Sequence, residues 1–227
     1  MPNDPENPTS TKTKANSTPS TQPETDDKTN KATAALLRFL ASFFLICATV
    51  YFHPDVATSG GRNKYDRIGA FFMTGFALLG LALVLELPLK RDKGAWIIGT
   101  SLVAVLVLFI GSILTLYDVL IDIDDIDAFS GCFIAGTIVL GACQVLEFIS
   151  YLRQDERNQI LLFSTVLAIL GTIFLFLGAV FSIEEVLTDV NYYSDLKDNF
   201  DRRAALFITG GVLYMVHAIV YLIDAMK

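Results

Sequence analysis

Hydrophobic and polar residues alternate along this chain in blocks, not at the spacing of a soluble helix or strand. Six apolar runs stand at about 32–52, 66–87, 94–117, 127–151, 159–181 and 201–223. Each is long enough to form a helix across the roughly 30 Å hydrocarbon core of a bilayer, since a helix rises about 1.5 Å per residue. Short polar connections separate them, with Pro54, Gly60 and Gly61 in the first and Pro88 in the second. The pattern predicts an all-α polytopic membrane bundle of six transmembrane helices, arranged as three tandem hairpins.

The repeat is visible in the runs themselves. Aligning 66–87, 127–148 and 201–222 superposes Asp66, Asp127 and Asp201, then Phe72, Phe133 and Phe207. Gly75, Gly136 and Gly210 follow, and then Glu86, Glu147 and Tyr221, always 20 residues after the Asp. The first members of the hairpins echo one another more faintly. The stretch from Gly111 through Asp118 resembles that from Gly178 through Glu185, with a marginal equivalent around Cys47. Two-helix units preserve orientation, so these are parallel repeats, at about 32–89, 94–152 and 159–225.

Residues 1–31 form a different region. They contain no Val, Ile, Leu or aromatic residue and hold five of the seven prolines. Such a segment buries too little apolar area to offset chain entropy, and a disordered tail is expected, followed by one transmembrane domain over 32–227. It is not a signal peptide, because the apolar run that follows is late and long.

Composition supports the membrane reading. The chain is 53% hydrophobic with mean hydropathy +0.51, and only 18% charged. The net charge of −7 excludes the basic face that nucleic-acid binding requires. Lys90, Arg91, Lys93, Arg153 and Arg157 crowd the short turns between hairpins, and Lys28 and Lys31 flank the first span. The positive-inside rule then puts both termini in the cytoplasm, with the cell membrane as the expected location. Trp96 and Tyr117 suit the two interfaces of the third span.

Candidate chemistry is sparse. Asp66, Asp127 and Asp201 are expected to cap helices at the outer face, the alternative being a ring of carboxylates that attracts cations. Arg38, Glu86, Glu147 and His217 are ionisable residues inside spans, where charge is costly. A structural ion pair is the favoured reading for the two glutamates, with Arg38 or the basic turns as partners, and a proton or cation relay the alternative. Tyr221 breaks any threefold acidic ring at their level, and His217 is expected to be a hydrogen-bonded interior residue. Asp118, Asp122, Asp124, Asp125 and Asp127 could attract a hard cation in an outer loop. Counted from Asp122, however, the EF-hand glycine position falls on Asp127 and the closing Glu position on Phe133, so no metal is assigned. Gly131/Ala135 and Thr137/Gly141 are small-xxx-small pairs that let helices approach closely. Cys47, Cys132 and Cys143 lie within spans, form no C-x-x-C pair and read as small hydrophobes. Enzyme motifs are absent, and nothing calls for a cofactor.

The stretch beginning Phe174-Leu-Phe-Leu-Gly-Ala-Val-Phe, an acidic connection, and then Leu206-Phe-Ile-Thr-Gly-Gly-Val-Leu-Tyr resembles the YrhK-like domain. Phe109-Ile-Gly-Ser-Ile-Leu and Cys132-Phe-Ile-Ala-Gly-Thr resemble it comparably. Ala179 and Gly211 stand where that family's short motifs end in serine. The resemblance implies tandem two-helix membrane hairpins in a bacterium, with no established activity and no functional residues to carry over. The expected role is structural or interaction-type, with the bilayer and a second copy or another membrane protein as partners. The alternative is a small cation or proton-coupled transporter or channel.

Overall fold

The computed structural model describes residues 23–51, 53, 62–90, 94–116, 119, 126–153, 158–183 and 193–226. Six long helices carry the described fold: α1 (Pro23–Tyr51), α2 (Arg62–Glu86), α3 (Ala95–Leu114), α4 (Ile126–Leu152), α5 (Gln159–Val180) and α6 (Tyr193–Ala225). A short 3-10 turn, Leu87–Lys90, follows α2 at Pro88. All six helices are long and apolar enough to cross a membrane. In hydrocarbon a spanning segment must satisfy its own backbone, which the helix does internally. The hydroxyls follow the same rule: Ser42, Ser101, Ser112 and Thr137 each donate to the carbonyl four residues earlier.

Each helix packs on its sequence neighbours, and α6 returns to pack on α1, so the bundle is a closed ring of three hairpins. The outward faces are apolar. Val103, Ile138 and Phe163 are each more than half exposed, as is Leu81, and α1 and α6 present Phe43 and Ile223. A surface of that kind, continued on every helix, belongs against lipid.

At the centre the repeated phenylalanines meet. Phe72 and Phe133 have ring centroids 5.1 Å apart, and Phe207 lies 6.4 Å from each. All three are essentially fully buried, and the edge-to-face arrangement suits their quadrupoles. Phe76 and Phe129 extend the cluster.

The repeated glycines explain how the hairpins close. A Cβ on Gly136 would meet Leu108 Cγ at 2.5 Å and the Ala104 carbonyl at 3.2 Å. On Gly210 it would meet Leu175 and the Gly171 carbonyl, and on Gly75 it would meet Leu45 and the Ala41 carbonyl. The fit is reciprocal, for a Cβ on Gly111 would meet Phe133 Cδ2 at 2.9 Å and one on Gly178 would meet Phe207 Cγ at 2.9 Å. The first-hairpin counterpart of Gly111 and Gly178 is Ala48, fully buried and three residues after Leu45. That register sharpens the faint similarity among the first members of the hairpins.

Three expectations change. Helix α1 begins at Pro23, so residues 23–31 are helical and not part of a disordered tail. Proline suits a first helical position, where its missing N–H is not needed. Asp66 and Asp201 do not cap: α2 begins at Arg62 and α6 at Tyr193, so both acids lie inside helices that extend beyond their apolar windows. Asp127 is in the first turn of α4. Gly131 and Ala135 do not form a contact between helices of the chain. Both are exposed, and a Cβ on Gly131 would have nothing within 4 Å. Thr137 is buried and Gly141 faces Thr172 at 3.3 Å, so the second small pair does lie in the α4–α5 seam.

The two kinds of glycine predict opposite outcomes. Gly136→Ala should destabilise the purified protein by about 1–3 kcal/mol through overpacking. Gly131→Ala should leave stability unchanged or raise it by up to about 1 kcal/mol through helix propensity. Thermal unfolding in detergent reads both; equal effects would contradict the packing register.

Candidate functional site

Arg38, Glu86, Gln144, Glu147, His217 and Asp224 all lie in the half of the bundle nearest the chain termini. Lys31 at the start of the α1 span donates to Asp224 near the end of α6, with Nζ and Oδ2 3.1 Å apart. The other oxygen of Asp224 accepts from Asn158 Nδ2 at 3.0 Å. Asn158 Oδ1 in turn accepts from the backbone N–H groups of Ile160 and Leu161, capping α5. One buried carboxylate thus ties α1, α5 and α6 together at this face.

Deeper lies the central ion pair. Arg38 of α1 donates to Glu86, the last residue of α2, through Nε at 2.8 Å and Nη2 at 2.6 Å. This is the two-pronged geometry that matches a planar guanidinium to a carboxylate. Glu86 is 3% exposed and Arg38 16%. The guanidinium also lies over the Tyr221 ring, 5.1 Å from its centroid. Tyr221 occupies the repeat position of Glu86 and Glu147. The third repeat therefore presents an aromatic face to the same cation that the first repeat binds with a carboxylate.

Glu147 reaches the same region from α4, and its Oε1 accepts from the Tyr151 hydroxyl at 3.0 Å, one turn onward. Arg38, Glu86, Ser101, Gln144, Glu147 and Tyr214 line a chamber of about 40 Å³, and Leu79 and Leu140 lie on its wall. Gln144, Thr172 and Tyr214 form a polar knot beside it that joins α4, α5 and α6. Thr172 Oγ1 donates to Gln144 Oε1 at 2.7 Å, and the Tyr214 hydroxyl is 2.5 Å from both Gln144 Nε2 and Thr172 Oγ1. An amide or hydroxyl in hydrocarbon is tolerated when bonded across helices in this way.

His217 is buried but stands outside the chamber lining. Its Nδ1 is 2.8 Å from Ser164 Oγ and 2.9 Å from the Ser164 carbonyl, which joins α6 to α5. Of the outer acids, Asp127 is exposed, whereas Asp118, Asp122, Asp124 and Asp125 lie outside the described residues. Among the described residues no cluster of His, Cys, Asp or Glu has the geometry of a metal site. Cys47, Cys132 and Cys143 are free thiols.

Sequence reasoning singled out Glu86 and Glu147 and offered Arg38 as a partner for them, but missed Gln144, Thr172, Tyr214 and the Lys31–Asp224–Asn158 clamp. A glutamine in the middle of an apolar run was the available signal, because its amide must find a partner there.

Comparison with protein-family models, curated proteins and solved structures finds no match. The reading of this site therefore rests on its own chemistry.

Removing one partner of the central pair should be costly and removing both much less so. Glu86→Leu or Arg38→Leu should each lower stability by about 3–5 kcal/mol, because the remaining charge stays buried. The double Arg38→Leu/Glu86→Leu variant should recover most of that loss. Arg38→Lys should not rescue, lacking both the fork and the flat face. Denaturant titration in detergent measures the cycle, and additive losses would disprove coupling.

Proposed function

We propose that the protein is a multi-pass cell-membrane protein with a structural or interaction role, not a conductor of ions. The observation that carries this reading is the seal on the bundle axis: Phe72, Phe133 and Phe207 fill the centre in mutual contact. A conduction path needs a hydrated or polar route from one face to the other. Three close-packed rings at the centre of the ring of helices oppose one. The outward-facing Gly131 and Ala135 on α4 support the interaction role, since a small-residue face lets another membrane helix, from a second copy or a different protein, approach closely. In this reading the hairpins are three tandem YrhK-like units. The recurrent Leu–Gly and Phe–Gly contacts support their equivalence.

The runner-up is a small cation or proton-coupled transporter. It draws support from one guanidinium and two carboxylates on a single chamber within the spans. In both readings the termini lie in the cytoplasm, on the strength of the basic turns at Lys90–Lys93 and Arg153–Arg157, and the YrhK-like resemblance makes the cell a bacterial one.

Two experiments test these readings. Reconstituted protein in liposomes is expected to pass protons, sodium and potassium no faster than empty liposomes. Flux that disappears in Glu86→Gln and Glu147→Gln would establish transport instead. Reporters active only in the cytoplasm, fused to each terminus, should both give signal; silence from both would invert the topology.

A further inference from the structure

The chamber around the central ion pair has a mixed lining, with leucine and isoleucine walls and a set of groups that donate and accept hydrogen bonds. Its volume is about 40 Å³. A water molecule needs roughly 10–15 Å³ of such space and two to four polar partners. The partners are present on four helices: Arg38 on α1, Glu86 on α2, Ser101 on α3, and Gln144 and Glu147 on α4. Tyr214 adds a fifth helix, α6. Arg38 spends Nε and Nη2 on Glu86, and a guanidinium carries five N–H donors, so donors remain on that side chain.

The chamber is also one-sided. It extends to Glu86, the last residue of α2, and to Ile97, near the start of α3, both at the end of the bundle that carries the chain termini. Toward the other end it stops at Leu79, Leu140 and Tyr214. Those positions lie seven residues, or about 10 Å of helix, from Phe72, Phe133 and Phe207. The triad is close-packed, with centroids between 5.1 and 6.4 Å apart.

We propose that this chamber is an internal water site, holding about one to three molecules, that bridges the Arg38–Glu86 pair to Glu147 and ends blind beneath the phenylalanine triad. Its ligand class is a small neutral hydrogen-bonding species that both donates and accepts, namely water. The site gives the buried charges solvent contact from the terminal end alone. It stands whichever functional reading holds, because a hydrated blind chamber is compatible with a scaffold and with the inner half of a proton path. A flux assay that reports no transport leaves it untouched.

Hydroxyl-radical footprinting by X-ray radiolysis tests it on the full-length protein in nanodiscs. Radicals form from water in place, so residues beside an internal water are modified although bulk reagent does not reach them. Leu83 and Leu140, at 5% and 7% exposure, should be modified severalfold faster than Leu108 and Leu175, at 1% and 6%. Phe133 and Phe207 should stay unmodified. Ser101→Leu, which fills the chamber, should erase the excess at Leu83 and Leu140; Ser101→Val serves if the larger residue prevents folding. Equal rates at the two pairs of leucines, or an excess that survives filling, would overturn the water site. Modification of Phe133 and Phe207 would overturn its blind end.

Discussion

Burying apolar surface cannot organise this bundle as it would a soluble core. Lipid tails are as apolar as leucine, so a helix gains little simply by exchanging lipid for another apolar helix. What distinguishes one arrangement from another is close steric fit, and the fold depends on a reciprocal one. In the second and third hairpins a leucine of the first helix enters over a glycine of the second, and a phenylalanine of the second enters over a glycine of the first. On each of these helices the glycine sits one turn from the leucine or phenylalanine that enters over the partner's glycine, so each hairpin is clamped at two adjacent levels. Dispersion gained over such contacts is small per atom pair and large in sum. The same geometry drives Phe72, Phe133 and Phe207 inward, and the axial seal follows from hairpin packing.

The polar half of the bundle obeys a different constraint. A guanidinium within a span needs partners that use both its charge and its flat face. Arg38 finds a carboxylate from the neighbouring helix of its own hairpin and an aromatic ring from α6, the helix that closes the circle. Lys31 and Asp224 repeat the closure nearer the end of the helices. The seam between the first and last helices has no loop to hold it. Lys31 with Asp224 and Arg38 with Tyr221 bridge it directly, with the Ser42 hydroxyl 3.3 Å from the Tyr214 carbonyl.

The six spans, their pairing into hairpins and the equivalence of Gly75, Gly136 and Gly210 were legible in the sequence because length, hydropathy and spacing are local properties. Ring closure was not, because nothing in linear order says that α6 returns to α1. Capping was misread at Asp66 and Asp201 because an apolar window marks where a helix enters lipid, not where its hydrogen bonds begin. α2 and α6 start four and eight residues before those acids. Helix also runs back to Pro23 through a stretch with no large aliphatic or aromatic side chain, for the same reason. The outward placement of Gly131 needed the rotational setting of α4, which is fixed by Phe133 and Gly136 facing α3.

The three repeats are most alike where contact is steric and least alike where it is electrostatic. The phenylalanine and glycine levels are identical in all three copies. One turn further the residues are Leu79, Leu140 and Tyr214, and at the final level they are Glu86, Glu147 and Tyr221. A threefold carboxylate ring around a single guanidinium would place three negative charges against one positive in a medium that screens poorly. Tyrosine at the third position relieves that excess while its ring still attracts the cation. Tyr214 does the equivalent for Gln144, supplying a hydroxyl at a level where the other repeats have only leucine. The departure of the third repeat from the pattern is therefore what lets the carboxylates of the other two share one guanidinium, and it sets the charged chamber apart from the symmetric seal.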